Sequence, residues 1–176
     1  MKFSITQNGK KLSEDLYNWD ESTKTFSSNE DGLVLDFNEY DVTFITGSDC
    51  TFNTSSYCTF DTGSDCTFNT GSDCTFNTGS DCTFNTGSYC TFDTGSDCTF
   101  NTSSDCTFDT GSSSVIIRRD EFEVITLEEG GHIKLNEFRV KGYTHIKDTK
   151  TITIDGKDIE ISLESFEALK EQLISN

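Results

Sequence analysis

Apolar and polar positions alternate with a fixed period between Val42 and Ser113, where C-T-F-N-T-G-S-D recurs with few changes. In an extended chain the first five residues of each copy place Cys and Phe on one face. Thr and Asn or Asp then lie on the other, since successive side chains of a strand alternate. The next three residues, such as Gly63-Ser64-Asp65, are turn formers. The pattern therefore predicts a short strand and a tight turn every eight residues.

Two copies of the repeat together supply a strand, a turn, a returning strand and a second turn, which is one closed coil. Alternate copies differ in a way that supports this 16-residue unit. The residue after Phe is Asn at 53, 69, 85 and 101 in one set, but Asp61, Asn77, Asp93 and Asp109 in the other. The last residue of the turn also differs between the two sets of copies. It is Asp49, Asp65, Asp81 and Asp97 before the first set, and Tyr57, Asp73, Tyr89 and Asp105 before the second. We predict an all-β fold, a two-sheet parallel β-solenoid with 16 residues per coil.

The copies from Val42 to about Arg119 predict about five coils and a rod of about 24 Å, at about 4.8 Å per coil. Because the two strands of a coil run in opposite directions, we expect each Cys to face a Phe across the core. For cysteines stacked along one column, the Cα–Cα distance is within the range of a disulfide, but the Cβ–Cβ distance is wide for one. We therefore expect free thiols, with a secreted disulfide framework as the alternative.

The segments on either side of the repeat are expected to cap the rod, because uncovered strand edges aggregate. Residues 1–41 are predicted to form a β-containing N-terminal cap with a tight turn at Asn8-Gly9. Residues 42–119 are predicted to form the solenoid. Residues 120–176 are predicted to form a β-meander followed by a short helix, as a cap or a subdomain.

Two features carry the prediction for the C-terminal region. Asp155-Gly156 is typical of a hairpin turn between two apolar alternating runs. Ser162 can cap a helix, and the apolar stripe of that helix would consist of Leu163, Phe166, Leu169 and Leu173.

Charge limits the partners of the chain. The formal net charge is −18, and residues 42–113 contain nine aspartates and no lysine or arginine. Since charge of one sign repels phosphate, we expect no direct nucleic-acid binding. The N-terminus opens no apolar run, and no stretch approaches the roughly 20 apolar residues of a membrane span. We therefore expect no signal peptide, no membrane contact and a reducing compartment.

The aspartates that end one set of turns are a candidate metal site: Asp49, Asp65, Asp81 and Asp97. Like charges stacked about 5 Å apart repel, and a bound cation would relieve them. The repeat loosely resembles the calcium-binding nonapeptide β-roll, but it has eight residues and one glycine per turn where that motif has three. Calcium is the one cofactor that the pattern suggests. Solvated turn aspartates are the simpler interpretation.

The outward positions of one sheet form a candidate partner face, called here the Thr/Asn face: Thr51, Asn53, Thr67, Asn69, Thr83, Asn85, Thr99 and Asn101. Its threonine ranks resemble those of insect antifreeze solenoids, although the second outward position here is Asn or Asp. The asparagines predict a structural ladder of stacked amides. The uniformity of the face also suits a flat partner, so ice binding and partner binding are both open.

The charge of the rod and the placement of its cysteines bear on two further functions, a DNA mimic and an enzyme. An acidic rod suggests a DNA mimic that binds a DNA-handling protein, because the pentapeptide-repeat solenoids that bind topoisomerases are similar in shape and charge. The period here is eight, however, and their five-residue pattern is missing. Catalysis is not expected, because the cysteines point inward without a basic neighbour. His132 and His145 are 13 residues apart and lack the paired spacing of metal ligands.

The array and its exit resemble octapeptide-repeat proteins of bacteriophages and large DNA viruses, whose function is unknown. In those proteins C-T-F-x-T-G-x-x arrays are followed by a V-I-I-R-R-D-like segment, here Val115 to Asp120. The resemblance implies a β-solenoid in the cytoplasm or a virion and assigns no catalytic residue. We expect a non-enzymatic, rigid structural or interaction module. It would bind a protein partner or self-assemble, through a solenoid face or the C-terminal region.

Overall fold

The computed structural model describes residues 3–39, 41–146, 149–154, 157–162, 165, 166, 170 and 172. The chain divides into two compact units, one that ends at Thr144 and one that begins at His145. The first unit is a two-sheet parallel β-solenoid with about 16 residues per coil. The predicted fold class is confirmed.

Each sheet of the first unit has nine strands. The strands of sheet A are β1 (Phe3–Gln7), β2 (Lys10–Lys11), β5 (Leu33–Phe37), β7 (Thr51–Asn53), β9 (Thr67–Asn69), β11 (Thr83–Asn85), β13 (Thr99–Thr102), β15 (Ser114–Arg118) and β16 (Glu123–Leu127). The strands of sheet B are β3 (Asn18–Asp20), β4 (Thr25–Ser27), β6 (Thr43–Ile45), β8 (Thr59–Asp61), β10 (Thr75–Thr78), β12 (Thr91–Thr94), β14 (Thr107–Thr110), β17 (Gly131–Leu135) and β18 (Tyr143–His145).

The solenoid has about six coils, one more than the repeat predicts. Parallel pairing begins upstream of residue 42, where β4 pairs with β6 and β5 pairs with β7. Phe26 lies in register with Phe44, and Leu35 with Phe52, so these two residues fill the position of the repeat phenylalanine without its motif. The segment predicted as a cap therefore also supplies the first coil.

Antiparallel strands close both ends of the rod. At the N-terminal end β1 pairs with β5 and β3 with β4, and at the C-terminal end β16 pairs with β15 and β17 with β14. The β1–β2 turn has positive φ at both Asn8 and Gly9, as a two-residue hairpin loop of this type requires. The meander up to Thr144 belongs to the same compact unit as the solenoid.

Phenylalanines fill the centre of the core. Phe68 stacks on Phe84 of the next coil with ring centroids 4.9 Å apart and nearly parallel planes. Across the core Phe76 meets Phe84 edge to face at 5.2 Å. The expectation that Cys faces Phe is wrong, because the rings of the two sheets meet each other at the centre. Edge-to-face pairs are favoured by the ring quadrupole.

The cysteines lie at the corners of the coil, beside the buried threonine that ends the previous strand. Thr102 Oγ1 is 3.0 Å from Cys106 Sγ, and the Sγ of Cys66 lies 3.4 Å from Ser64 O. All eight cysteines are buried free thiols. The small thiol leaves room for the turn backbone, whereas the centre of the coil accommodates the larger ring.

The second unit contains the hairpin of β19 (Thr149–Ile154) and β20 (Lys157–Ser162). Its predicted turn residues Asp155 and Gly156 lie outside the described residues, but the strands pair antiparallel on either side of them. Ser162 Oγ accepts a hydrogen bond from Ser165 N at 3.2 Å, as a helix cap would. Residues 165, 166, 170 and 172 are helical, and Leu163, Leu169 and Leu173 of the predicted stripe lie outside the described residues.

Candidate functional site

Two rims run along the rod where each turn enters its strand. The first rim, before the strands of sheet A, consists of Asp49, Asp65, Asp81, Asp97 and Ser113. The second rim, before the strands of sheet B, consists of Asp41, Tyr57, Asp73, Tyr89 and Asp105. Every rim residue has φ between 58° and 64°, in the left-handed region. Asp tolerates this region because its short polar side chain can bond locally.

The left-handed backbone gives the aspartate column a structural explanation that the repeat alone did not reveal. The structure places Asp49, Asp65, Asp81 and Asp97 one per coil along the first rim. Among the described residues, no group of three or more His, Cys, Asp or Glu side chains could hold a metal ion. The four carboxylates are therefore aligned but are not brought together as a metal centre.

Hydrogen bonds between the serines of successive coils join the same turns. Ser64 Oγ accepts a hydrogen bond from Ser80 N of the next coil at 3.1 Å, and the same bond recurs through Ser96. At the N-terminal end, the carboxylate of Asp31 takes the place of the serine and accepts from Ser48 N at 2.7 Å. The repeat itself gives no sign of this role for Asp31, which is identified only by the fold.

The Thr/Asn face lies on the outer surface of sheet A, as predicted. Asn69 Nδ2 donates to Asn53 Oδ1 at 3.4 Å, and Asn85 Nδ2 donates to Asn69 Oδ1 at 3.1 Å. The predicted amide ladder is therefore present over these three coils. The threonines of the middle coils, Thr67 and Thr83, are exposed in register.

The ladder stops before its fourth asparagine because Arg119 folds back over sheet A. Its Nη1 donates to Asn85 Oδ1 at 2.9 Å, and its Nη2 donates to the carbonyl oxygen of Thr86. Asn101 Oδ1 is buried and has no hydrogen-bond partner among the described residues. In the open part of the Thr/Asn face the asparagine row consequently ends at Asn85, one coil earlier than the sequence suggests, while the threonine row continues to the exposed Thr99.

The outer surface of sheet B is acidic at the corresponding positions. Asp61, Asp93 and Asp109 are exposed, with Asn77 between the first two, and Asn77 Nδ2 donates to Asp61 Oδ1 at 3.4 Å. Asp93 and Asp109 are register neighbours on β12 and β14. His132 lies opposite Asp109 across β14 and β17, a neighbour that sequence spacing did not reveal.

The C-terminal cap is held by a buried ion pair. Arg118 is fully buried, and its Nε and Nη2 donate to the two carboxylate oxygens of Asp120 at 2.9 and 2.8 Å. Arg118 also donates to the carbonyl oxygens of Glu137 and Val140 at 2.7 and 2.5 Å. The hydrogen bonds from Arg118 lower the pKa of the Asp120 carboxyl. Arg118 and Asp120 thus clamp the loop that follows β17.

The eight thiols are closed off from solvent. Hydrogen bonds between neighbouring thiols raise the pKa of Cys58, Cys66, Cys90 and Cys98 and lower the pKa of Cys50, Cys74, Cys82 and Cys106. A nucleophilic cysteine needs a thiolate that solvent or substrate can reach. These thiols are at most about 1% exposed, so the columns serve packing.

Comparison of the chain with protein-family models, with curated proteins and with solved structures finds no match. The geometry defines the class: this is a two-sheet parallel β-solenoid built from an eight-residue Thr/Cys/Phe repeat. Nowhere in the described part of the chain does a helix reach the length and apolar character that a membrane crossing needs.

Proposed function

We propose that this protein is a rigid, non-enzymatic interaction module that binds a macromolecular partner along the open Thr/Asn face. The observation that supports this most is the exact repetition of side chains in register, with Thr67 beside Thr83 and Asn69 beside Asn85. Such a face offers the same hydrogen-bonding groups about every 4.8 Å. Because the amide ladder already orders its asparagines, a partner loses little side-chain entropy on binding there.

The origin and location of the protein belong to the same proposal. The octapeptide array and its Val115–Asp120 exit resemble bacteriophage and large-virus proteins, which supports a viral gene and a site of action in the cytoplasm or a virion. The buried thiols support a non-enzymatic role, because they offer no reactive group to a substrate.

A face-directed substitution tests the proposal. The protein is immobilised, and partners from the producing or host cell are recovered and identified with three variants in parallel. Thr67→Arg/Asn69→Arg blocks the Thr/Asn face, Thr75→Arg/Asn77→Arg places the same side chains on sheet B, and Ile159→Ser alters an exposed apolar residue of the C-terminal hairpin. We expect the partner to be lost with the first variant alone. Loss with Ile159→Ser alone would move the interaction to the C-terminal unit.

A second candidate, an acidic mimic of DNA, is favoured by the charge density of the rod. Residues 42–113 carry nine negative charges and no positive charge. Over about 4.5 coils this is roughly one charge per 2.4 Å, against about one per 1.7 Å of duplex DNA. A DNA supercoiling assay with a topoisomerase tests it, and we expect inhibition that DNA in excess reverses. Absence of inhibition at micromolar protein would contradict this candidate.

A further inference from the structure

We infer that the second rim and the adjoining rows of sheet B bind an extended, arginine- or lysine-rich segment of another protein, with Tyr57 and Tyr89 as the aromatic contacts. This surface lies on the opposite sheet from the Thr/Asn face and goes beyond the function proposed for that face. Four observations support it, namely backbone strain, exposure, spacing and charge.

The two tyrosines occupy a backbone conformation that disfavours them. Tyr57 and Tyr89 have φ of 64° and 60°, where the equivalent positions of the first rim are Asp in four coils. Tyr lacks the short polar side chain that makes the left-handed region tolerable for Asp. Strained residues of this kind persist where the surrounding structure holds them, and they cluster at functional sites.

The side chains of the two tyrosines bury little surface against the rod. Their side chains remain 58% and 62% exposed, among the more exposed large apolar groups of the rod. A residue that strains the backbone and buries little surface is not explained by the stability of the solenoid. Binding of a partner against the exposed ring explains both properties.

The spacing of the rings suits an extended chain. The two tyrosines are 32 residues apart, which is two coils or about 9.6 Å. The rim is held in place because Tyr57 N donates to Ser72 O at 3.1 Å and Asp73 N donates to Ser88 O at 3.0 Å. In an extended polyproline II segment, which has three residues per turn and rises about 3.1 Å per residue, side chains three residues apart lie on the same side about 9.3 Å from each other. Positions i and i+3 of such a segment can therefore meet both rings.

The charge around the rings selects a cation. Asp73 lies on the rim between them, and the two tyrosine rows carry Asp61 and Asp93 on the outer face of sheet B. Residues 42–113 hold no lysine or arginine that would neutralise these carboxylates. An Arg or Lys side chain over a tyrosine ring gains a cation–π contact, and a neighbouring carboxylate adds a charge-assisted hydrogen bond.

The experiment measures binding of a fluorescent twelve-residue peptide that repeats Arg-Ser-Ser, by anisotropy at physiological salt, to the purified full chain. Tyr57→Asp/Tyr89→Asp gives the second rim the composition of the first. If the peptide bound only through non-specific attraction to the negative charge of the rod, this variant would bind it more tightly, because the two substitutions add two negative charges. Our inference predicts the opposite, binding weaker by about tenfold as two exposed cation–π contacts are lost.

Two further variants separate the causes. Tyr57→Phe/Tyr89→Phe keeps both rings and is expected to retain the affinity. Tyr57→Asn/Tyr89→Asn removes the rings without changing charge, suits a left-handed backbone, and is expected to weaken binding as the Asp variant does. Unchanged or tighter binding by the Asp and Asn variants would overturn the inference. Because only the purified protein and the peptide are used, the result is independent of whether the Thr/Asn face has a partner.

Discussion

The side-chain oxygen of Ser64 occupies the space that a β-carbon on Gly79 would need. An ideal Cβ built on Gly79 would lie 2.2 Å from Ser64 Oγ and 2.8 Å from Ser64 N. Ser64 cannot simply turn away, because its Oγ accepts the hydrogen bond from Ser80 N at 3.1 Å. Glycine is therefore required at this turn by the neighbouring coil and not by its own φ.

Gly79→Ala is expected to destabilise the solenoid by about 1–3 kcal/mol, the usual range for overpacking a tight contact. The measurement is the free energy of unfolding in guanidinium chloride. Ser103→Ala is the matched control, since Ser103 occupies the glycine position of a later copy and already carries a β-carbon. A loss no larger for Gly79→Ala than for the control would contradict the close contact.

Phe84→Ala is expected to cost about 3–5 kcal/mol, because Phe84 is fully buried and its ring packs against rings of both sheets. Phe122→Ala removes the same side chain where it is 95% exposed, and should change stability by less than about 0.5 kcal/mol. Both values come from denaturant unfolding. Similar losses for the two variants would show that the phenylalanine column is not the main source of stability.

The Arg118–Asp120 pair predicts a pH-dependent cap. Since the folded-state pKa of Asp120 lies below its ordinary value, its contribution is present above about pH 4 and is lost as the pH falls through the folded-state pKa. Asp120→Asn leaves Arg118 buried without its counter-charge and should destabilise the cap by about 3–5 kcal/mol.

Hydrogen exchange of the Arg139 and Gly142 amides measures this opening. Arg139 N donates to Asp120 itself, and Gly142 N donates to Glu123 on the same turn. We expect faster exchange in Asp120→Asn at neutral pH, and a smaller acid-induced change than in the unmodified protein. Glu14→Gln, in the exposed pair with Lys11, serves as control and should leave both amides unchanged.

The difference between the two sheet faces predicts opposite effects of exchanging Asn and Asp. Asp93→Asn removes a like-charge neighbour of Asp109, so it should stabilise the protein by less than about 1 kcal/mol. Asn69→Asp removes the amide donor to Asn53 and adds charge, so it should destabilise. Melting temperatures at low and high salt test this, and the gain from Asp93→Asn should shrink in salt.

Thiol accessibility tests the corner packing. We expect a thiol reagent such as Ellman's reagent to label none of the cysteines quickly in the folded protein and all eight after denaturation, because each thiol is buried and reduced. Fewer than eight reactive thiols in denaturant would indicate disulfides. Rapid labelling of the folded protein would indicate that the corners open.

The repeat predicted the middle of the molecule closely and its margins less well. Alternation set the inward and outward residues, and the alternate-copy differences at Asn and Asp set the 16-residue coil. The first coil escaped prediction because Phe26 and Leu35 replace the repeat phenylalanine without the Cys-Thr-Phe motif. The pairing of β16 and β17 with the last solenoid strands has no local signal in the sequence, because it joins segments that are distant along the chain.

The sequence predicted which residues line the candidate surfaces, but it did not predict the contacts and backbone conformations that shape them. The Thr/Asn face was predicted because identical side chains recur, yet its shortening by Arg119 depends on a contact 34 residues away along the chain. The aspartate column was predicted as a charge feature, whereas the structure explains it by a left-handed backbone. The same backbone makes Tyr57 and Tyr89 unusual, which the alternation alone could not show.

The sequence by itself determined the strand period, the coil length, the inward cysteines and phenylalanines and the difference between the two faces, since all of these follow from alternation and turn chemistry. Only the tertiary structure decided that phenylalanine meets phenylalanine across the core, that Ser64 fills the space above Gly79, and that Arg118 and Asp120 hold the cap. These features depend on contacts between neighbouring coils, across the core and with the loop after β17. A repeating sequence constrains its own geometry locally, but contacts between coils arise only when the chain closes on itself.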